Sequence, residues 1–363
     1  MLHLLIGTDW TRNRDAILAR LADDVHTRRE GRILMVPELI SHETERALCR
    51  VAGDTASRYA EVLSFTRLAR RAAEQAGSSA MECLDSGGRV VAMAAAARQL
   101  ASKLKAYAAV ETKPEFLTEL IDAVDEFKRC CITAQDLKAA AAQTEGSLAQ
   151  KLEELSLLME SYDALCSQGK RDPRDQMTWL LEQLEESDYA QTHVFYIDGF
   201  PDYTRQHLEI LEHLIQFSPS VTVSLNCDSI GSRQLAFEKA GQTASEIYRA
   251  AQRLNIPVQV ELIPGREDAL SPMREKLFQG AIQIGACAGC LDTAQADSPW
   301  AEVMAAAHRV RALVQSGCRY RDIILVCTDM GKYLPLAELI FARMHIPLYQ
   351  SGTEDILQKS MIA

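Results

Sequence analysis

Short runs of β-branched and apolar residues alternate with longer amphipathic stretches along most of this chain. That is the pattern of strands traded for helices in a parallel α/β sheet. Leu2–Ile6, Ile33–Val36, Ala60–Phe65, Val194–Ile197, Val221–Leu225 and Ile256–Leu262 read as strands. Helical periodicity covers roughly Arg14–Thr27, Glu38–Val51, His207–Phe217 and Ala244–Leu254, with Pro272–Gly280 as a last helix of this lobe. From Val90 to Leu184 the strand signals vanish. Val90–Val110, Pro114–Lys128 and Ala134–Cys166 read as helices. In the last of them Leu148, Leu152, Leu155, Met159, Tyr162 and Cys166 alternate steps of four and three, the seam of one helix packed along another. Gly169–Pro173 breaks this run and Trp179–Leu184 resumes it. The expected plan is α/β: a doubly wound parallel-sheet domain, 1–89 plus 185–280, interrupted by an all-helical domain at 90–184. A second α/β domain, 281–363, opens with a strand at Ile282–Ile284. Helices Pro299–Val314 and Leu334–Met344 follow, with strands Ile323–Val326 and Ile346–Tyr349. One or two βαβ units do not make a sheet, so this last part reads as the truncated start of a domain.

Composition narrows the class. A chain of 363 residues, 47% hydrophobic and 25% charged, is too long for one ordinary core and has no apolar run long enough to span a membrane. The N-terminus starts on an apolar strand, without the basic lead and cleavage site of a secretory signal. Ten cysteines without framework spacing suit a reducing, cytoplasmic setting. A net charge of −11 argues against coating by nucleic acid over the whole surface, while leaving room for a local groove.

The candidate chemistry sits where strands end. Asp198 closes the strand Val194–Ile197 and is followed by Gly199. P-loop ATPases end such a strand in Asp-Glu, the Asp serving magnesium and the Glu the attacking water. Here the Glu is absent; alternatively, Asp198 only caps the next turn. Gly7 stands where a phosphate loop would begin, but a working loop reads G-x-x-x-x-G-K-[ST]. Counted from Gly7, its last three positions hold Arg12, Asn13 and Arg14, so the second glycine, the lysine and the magnesium hydroxyl are missing. The two arginines either attract a phosphate as charges or are solvated at a helix start. Ser64, Phe65, Thr66 and Arg67 place hydroxyls, an aromatic and a cation at the end of the third strand, a set suited to a single strand of nucleic acid. The competing assignment makes Phe65 core and Arg67 a surface charge. Asn226 and Asp228 follow the fifth strand. Cys287-Ala288-Gly289-Cys290 is a CxxC without the second pair that zinc usually needs, so no metal site is expected.

Taken in order, Val36-Pro37-Glu38 with Glu45–Leu48, Val62–Ala69, and Tyr196–Phe200 with Asp202 and Thr204 resemble the N-terminal helicase-like region of the AddB/RexB family. Those proteins are the B subunits of bacterial ATP-dependent helicase/nucleases that process double-strand breaks. Arg319–Ile323 and Ile346–Tyr349 are similar to the start of the family's second RecA-like domain. The resemblance implies a UvrD-like superfamily 1 helicase fold, RecA-like in its first domain, that has lost its motor. It implies contacts to single-stranded DNA at Pro37, Glu38 and Ser64–Arg67, supported by the edge near Asn226. The ATP motifs would be the degenerate Gly7 loop and Asp198-Gly199. It further implies a partner, the AddA helicase/nuclease subunit, and places the family's nuclease domain and iron–sulfur cysteines outside this chain. No catalytic residue and no cofactor, ATP-Mg included, is expected here. An active helicase with Arg12 or Arg14 replacing the lysine, and a purely structural docking module, are the rival readings.

Overall fold

The computed structural model describes residues 1–78, 81–108, 113–271, 273 and 289–350. The helix expected at Pro272–Gly280 (Met273 apart), the strand at Ile282–Ile284, the tail of Val90–Val110 beyond Ala108, and Cys287 lie outside the described residues. The chain divides into two compact units, Met1–Ala286 and Cys287–Ala363.

Six strands carry the first unit: β1 (Leu2–Gly7), β2 (Arg32–Met35), β3 (Ala60–Leu63), β4 (Val194–Ile197), β5 (Val221–Asn226) and β6 (Val258–Leu262). They form one sheet in the order β3-β2-β4-β5-β1-β6. Every pair is parallel, so all six C-terminal ends share one edge. The apolar runs of β1, β2 and β4 are legible as strands because both their faces are covered; the edge strand β6 alternates and is largely exposed. One face packs on α1 (Trp10–His26) and α2 (Ser41–Ala52) through Leu5, Leu34, Val62 and Tyr196 against Ile17, Leu21 and Leu48. The other packs through Leu4, Ile6, Met35, Phe195 and Val223 against residues of five helices.

In chain order the remaining helices of this unit among the described residues are α3 (Phe65–Ala76), α4 (Ser86–Gln99), α5 (Pro114–Arg129), α6 (Ala134–Ala142), α7 (Gly146–Cys166), α8 (Gln176–Glu186), the single turn α9 (Tyr189–Thr192), α10 (Arg205–Phe217) and α11 (Glu238–Arg253). The second sheet face is covered by α3, α8, α9, α10 and α11. The helices α4 to α7 lie in sequence between β3 and β4, inside the first unit, and share a separate buried cluster around Met93, Leu120, Leu158 and Tyr162. The single helix expected over Ala134–Cys166 is two. The backbone leaves helix after Ala142, is extended at Glu145, and re-enters helix at Gly146, whose φ of +69 is left-handed. Leu148, expected in the seam, is 54% exposed, whereas Met159, Tyr162 and Cys166 are buried.

An ionic cluster joins this helical part to the turn before α8. The Arg89 guanidinium pairs with Asp125 and with Asp172 at 3.2 Å, and donates to the Tyr162 hydroxyl at 3.2 Å. Lys128 reaches Asp163 at 2.8 Å, Asp172 at 3.5 Å and Asp175 at 2.6 Å. Arg174 reaches Asp125 at 2.7 Å. Burial alone would raise the Asp172 carboxyl, but Lys128, the Arg174 N–H and Arg89 outweigh it and hold it below the ordinary range.

The second unit, taken by itself, holds α12 (Pro299–Gln315) and α13 (Met330–Arg343), packed through Val303, Ala307, Ile340 and Phe341. The strands expected at Ile323–Val326 and Ile346–Tyr349 do not form among the described residues. Neither run has a ladder partner there, and Ile324 and Val326 are 84% and 83% exposed. A β-branched run without a neighbouring strand has nothing to satisfy its backbone as a ladder.

Candidate functional site at the sheet edge

Parallel sheets bind ligands at the C-terminal edge of their strands, and every expected site residue falls there. At β1 the backbone leaves the sheet at Gly7 and re-enters helix at Trp10, with only Thr8 and Asp9 between. The helix expected from Arg14 therefore starts four residues earlier, and Arg12, Asn13 and Arg14 are its first turns, not a loop. A two-residue connection is too short to wrap a phosphate.

What stands at the phosphate position is the protein itself. Asp9 caps α1, its carboxylate accepting from the Thr11 N–H at 3.0 Å and from the Arg266 N–H at 3.3 Å. Burial pushes this carboxyl upward, but the N–H donors of Arg266, Thr11 and Arg12 prevail and hold it low, so an internal anion already fills the helix N-terminus. Asn13, 1% exposed, folds back and donates from Nδ2 to the carbonyls of Gly7 and Leu225, each at 3.1 Å. With its amide nitrogen facing the carbonyls, Asn226 donates to Gly7 at 3.1 Å and Thr8 at 3.2 Å. The turn thus presents carbonyl oxygens to donors, the reverse of the N–H cradle that phosphate requires. A Cβ at Gly7 would lie 2.3 Å from Asn13 Oδ1 and 2.9 Å from the Ile263 carbonyl, which is why glycine stands there.

At β4, Asp198 is 6% exposed and accepts from the Ser224 hydroxyl of β5. Burial raises its carboxyl above the usual range; Ser224, Arg14 and the Gly199 N–H only partly offset this. Gly199 has φ +79, and a Cβ on it would meet Ile40 Cδ1 at 2.9 Å. No side chain, glutamate included, fits this position without displacement and backbone strain. Since the folded Asp198 carboxyl is raised, its ionisation costs stability at neutral pH, and that cost fades as pH falls through the raised value toward the unfolded one. Asp198→Asn, which can still accept from Ser224, is therefore expected to raise the thermal midpoint at pH 7, with the gain shrinking toward pH 4. A clear loss at pH 7 would contradict this account.

At β2 and β3 the expected nucleic-acid set is only partly available. Ser64 is buried, caps α3 by accepting from the Arg67 N–H at 3.3 Å, and donates to Glu38. The third strand accordingly stops at Leu63, and Phe65 opens the helix. Phe65 is 5% exposed, stacked on His207 at 4.3 Å between centroids and edge-on to Phe200 at 5.3 Å. It is a core residue, and the stacking role expected for it is corrected here. Thr66 and Arg67 are half-buried, and Arg67 pairs with Glu45 at 3.1 Å. Pro37 packs against Gly199, while Glu38 and Asn226 are exposed. Reasoning from the loop template hides Asp9 and Ser224; Asp-Trp-Thr after a glycine is nevertheless a legible helix cap. Among the described residues no cluster of three or more His, Cys, Asp or Glu side chains is placed to hold a metal ion, and no helix is long and apolar enough to cross a membrane.

Residues 4–275 match the family model described as ADDB, N-terminal. The chain belongs to the AddB N-terminal family. Its relatives include the B subunit of the ATP-dependent helicase/deoxyribonuclease from Thermoanaerobacter sp. (strain X514), 29% identical over 346 residues, or 91% of this chain and 30% of the relative. Proteins of the same name from Listeria innocua and Bacillus subtilis (strain 168) are 25% and 24% identical, covering 96% and 99% of this chain and 31% and 33% of their own lengths. The chain thus spans about a third of the length of these AddB relatives.

Proposed function

We propose that this chain is the helicase-like N-terminal part of a B subunit of an ATP-dependent helicase/deoxyribonuclease acting in double-strand break repair. In it a RecA-like sheet domain, carrying the helices of 90–184 as an insertion, handles single-stranded DNA and docks the A subunit without turning over ATP. The observation that carries the reading is the turn after β1, which is held by the protein's own groups: Asp9 accepts from the Thr11 and Arg266 N–H, and the Asn13 and Asn226 amides donate to the turn's carbonyls. β5 lies between β1 and β4 in the parallel sheet, so the Gly7 strand and the Asp198 strand end on one edge, which supports reading them as the remnants of two ATP motifs. The family name of the relatives supplies the complex and its substrate.

The test is a titration of the 363-residue chain with labelled single-stranded DNA across salt concentrations, with and without magnesium-ATP. Saturable binding indifferent to ATP supports the proposal; DNA-stimulated ATP hydrolysis overturns it in favour of an active helicase. Arg67→Ala is expected to weaken the strand severalfold at low salt and to reduce the salt slope by about one ion. Unchanged affinity at low salt would remove Arg67 from the DNA contact.

A further inference from the structure

We infer that Trp10 is the base-stacking platform of this sheet edge. The inference rests on the proposed handling of single-stranded DNA and names the contact. With a net charge of −11, the chain as a whole does not attract a polyanion at long range, so base stacking gains weight beside the few local phosphate contacts. That requires an exposed aromatic face at the C-terminal edge. Phe65 is closed off beneath His207 and Phe200. Among the described residues of the first unit, the strongly exposed aromatics are Trp10 at 61% and Phe217 at 43%. Phe217 ends α10, just before β5 begins, and therefore lies at the opposite edge of the sheet. Trp10 opens α1 directly after β1, at the ligand edge.

Its exposure leaves most of the indole open to a partner at this edge, where stacking would recover part of the burial free energy. It is not committed to a bound nucleotide, because the neighbouring helix N-terminus is filled by Asp9. Arg12, in the same first turn, is exposed and makes no ion pair among the described residues, leaving one cation for a flanking phosphate. Leu39, 92% exposed after β2, stands three strand spacings away, about 14 Å along the edge, and offers a second apolar landing.

The experiment compares a labelled oligo-thymidine with an abasic strand of equal length, titrated into the 363-residue chain and its Trp10→Ala and Trp10→Phe variants. The unaltered chain is expected to prefer the base-bearing strand. Trp10→Ala should weaken that strand about tenfold, the loss of roughly one stacked base, and leave the abasic strand unchanged; Trp10→Phe should lose less. Quenching of tryptophan emission by the thymidine strand should be reduced in Trp10→Phe. Equal affinity of Trp10→Ala and the unaltered chain for the thymidine strand, or equal loss for both strands, overturns the stacking assignment while the DNA-handling proposal stands. If the unaltered chain binds neither strand at any salt, both fall.

Discussion

Asn13→Lys combined with Gly199→Glu, the two residues a working ATPase would carry, is expected to destabilise the first unit by on the order of 5 kcal/mol and to return no ATP turnover. The reasons are local. Asn13 is 1% exposed and supplies one amide to two carbonyls, those of Gly7 and Leu225. Removing it takes one donor from each, although Asn226 still reaches Gly7 and the Cys227 N–H still reaches Leu225. The larger part of the cost is the charge that lysine brings to a buried place, on the order of several kcal/mol. Glutamate at 199 must adopt φ +79 with its Cβ 2.9 Å from Ile40 Cδ1, a strain of about 1–2 kcal/mol before the clash is relieved. Against the roughly 5–15 kcal/mol that holds a typical protein together, the double variant is marginal. Urea unfolding of the single and double variants, with an ATP titration, reads both halves. A double variant as stable as the original that binds ATP would show the site to be merely disabled, not rebuilt.

Lys128→Met is expected to be the other large effect, about 3–5 kcal/mol at pH 7, because it takes the cation from between Asp163, Asp172 and Asp175. Asp172→Asn should cost less, although Asp172 is the more deeply buried partner. After that change Arg89 still faces Asp125, and Lys128 still faces Asp163 and Asp175. The pH responses differ in sign. In the unaltered chain Asp172 is held low, so its contribution is present above the unfolded value and is lost as pH falls through the folded one. Asp175 is raised by burial and opposes that loss. In Lys128→Met the orphaned carboxylates are raised, so the deficit is largest at neutral pH and recovers on acidification. Unfolding midpoints at pH 7 and pH 5 separate these cases, and a deficit that does not shrink at the lower pH would contradict them.

The inner strands β1, β2 and β4 are readable from sequence because each is a short, largely apolar run buried on both faces, whereas the edge strand β6, Val258-Gln259-Val260-Glu261-Leu262, is exposed and legible only from its alternation. Edges of elements are less readable. The run Ala60–Phe65 overshoots its strand by two residues because Ser64 is a cap, and capping competes with strand propensity only once the following helix is recognised. A motif template laid over Asp9, itself an ordinary cap, displaces the expected start of α1. The candidate site is legible as a place but not as a state. The missing lysine and glutamate are evident from sequence, whereas the inward turn of Asn13 and the burial of Phe65 depend on neighbours 212 and 142 positions away, Leu225 and His207. The runs Ile323–Val326 and Ile346–Tyr349 have strand composition without a described strand beside them, which composition alone cannot report.

The carboxylate of Asp9 has a consequence for motion. An anion tethered by its own backbone competes at an effective concentration that a diffusing nucleotide rarely matches. A motor advances because its phosphate site is alternately full and empty, and each filling biases one arrangement of the protein over another. A site held by its own tethered anion supplies no such alternation on the proposed reading. On that reading this sheet is therefore a rail: it presents the same surface to every nucleotide that passes, and any advance along the strand is driven from elsewhere in the assembly.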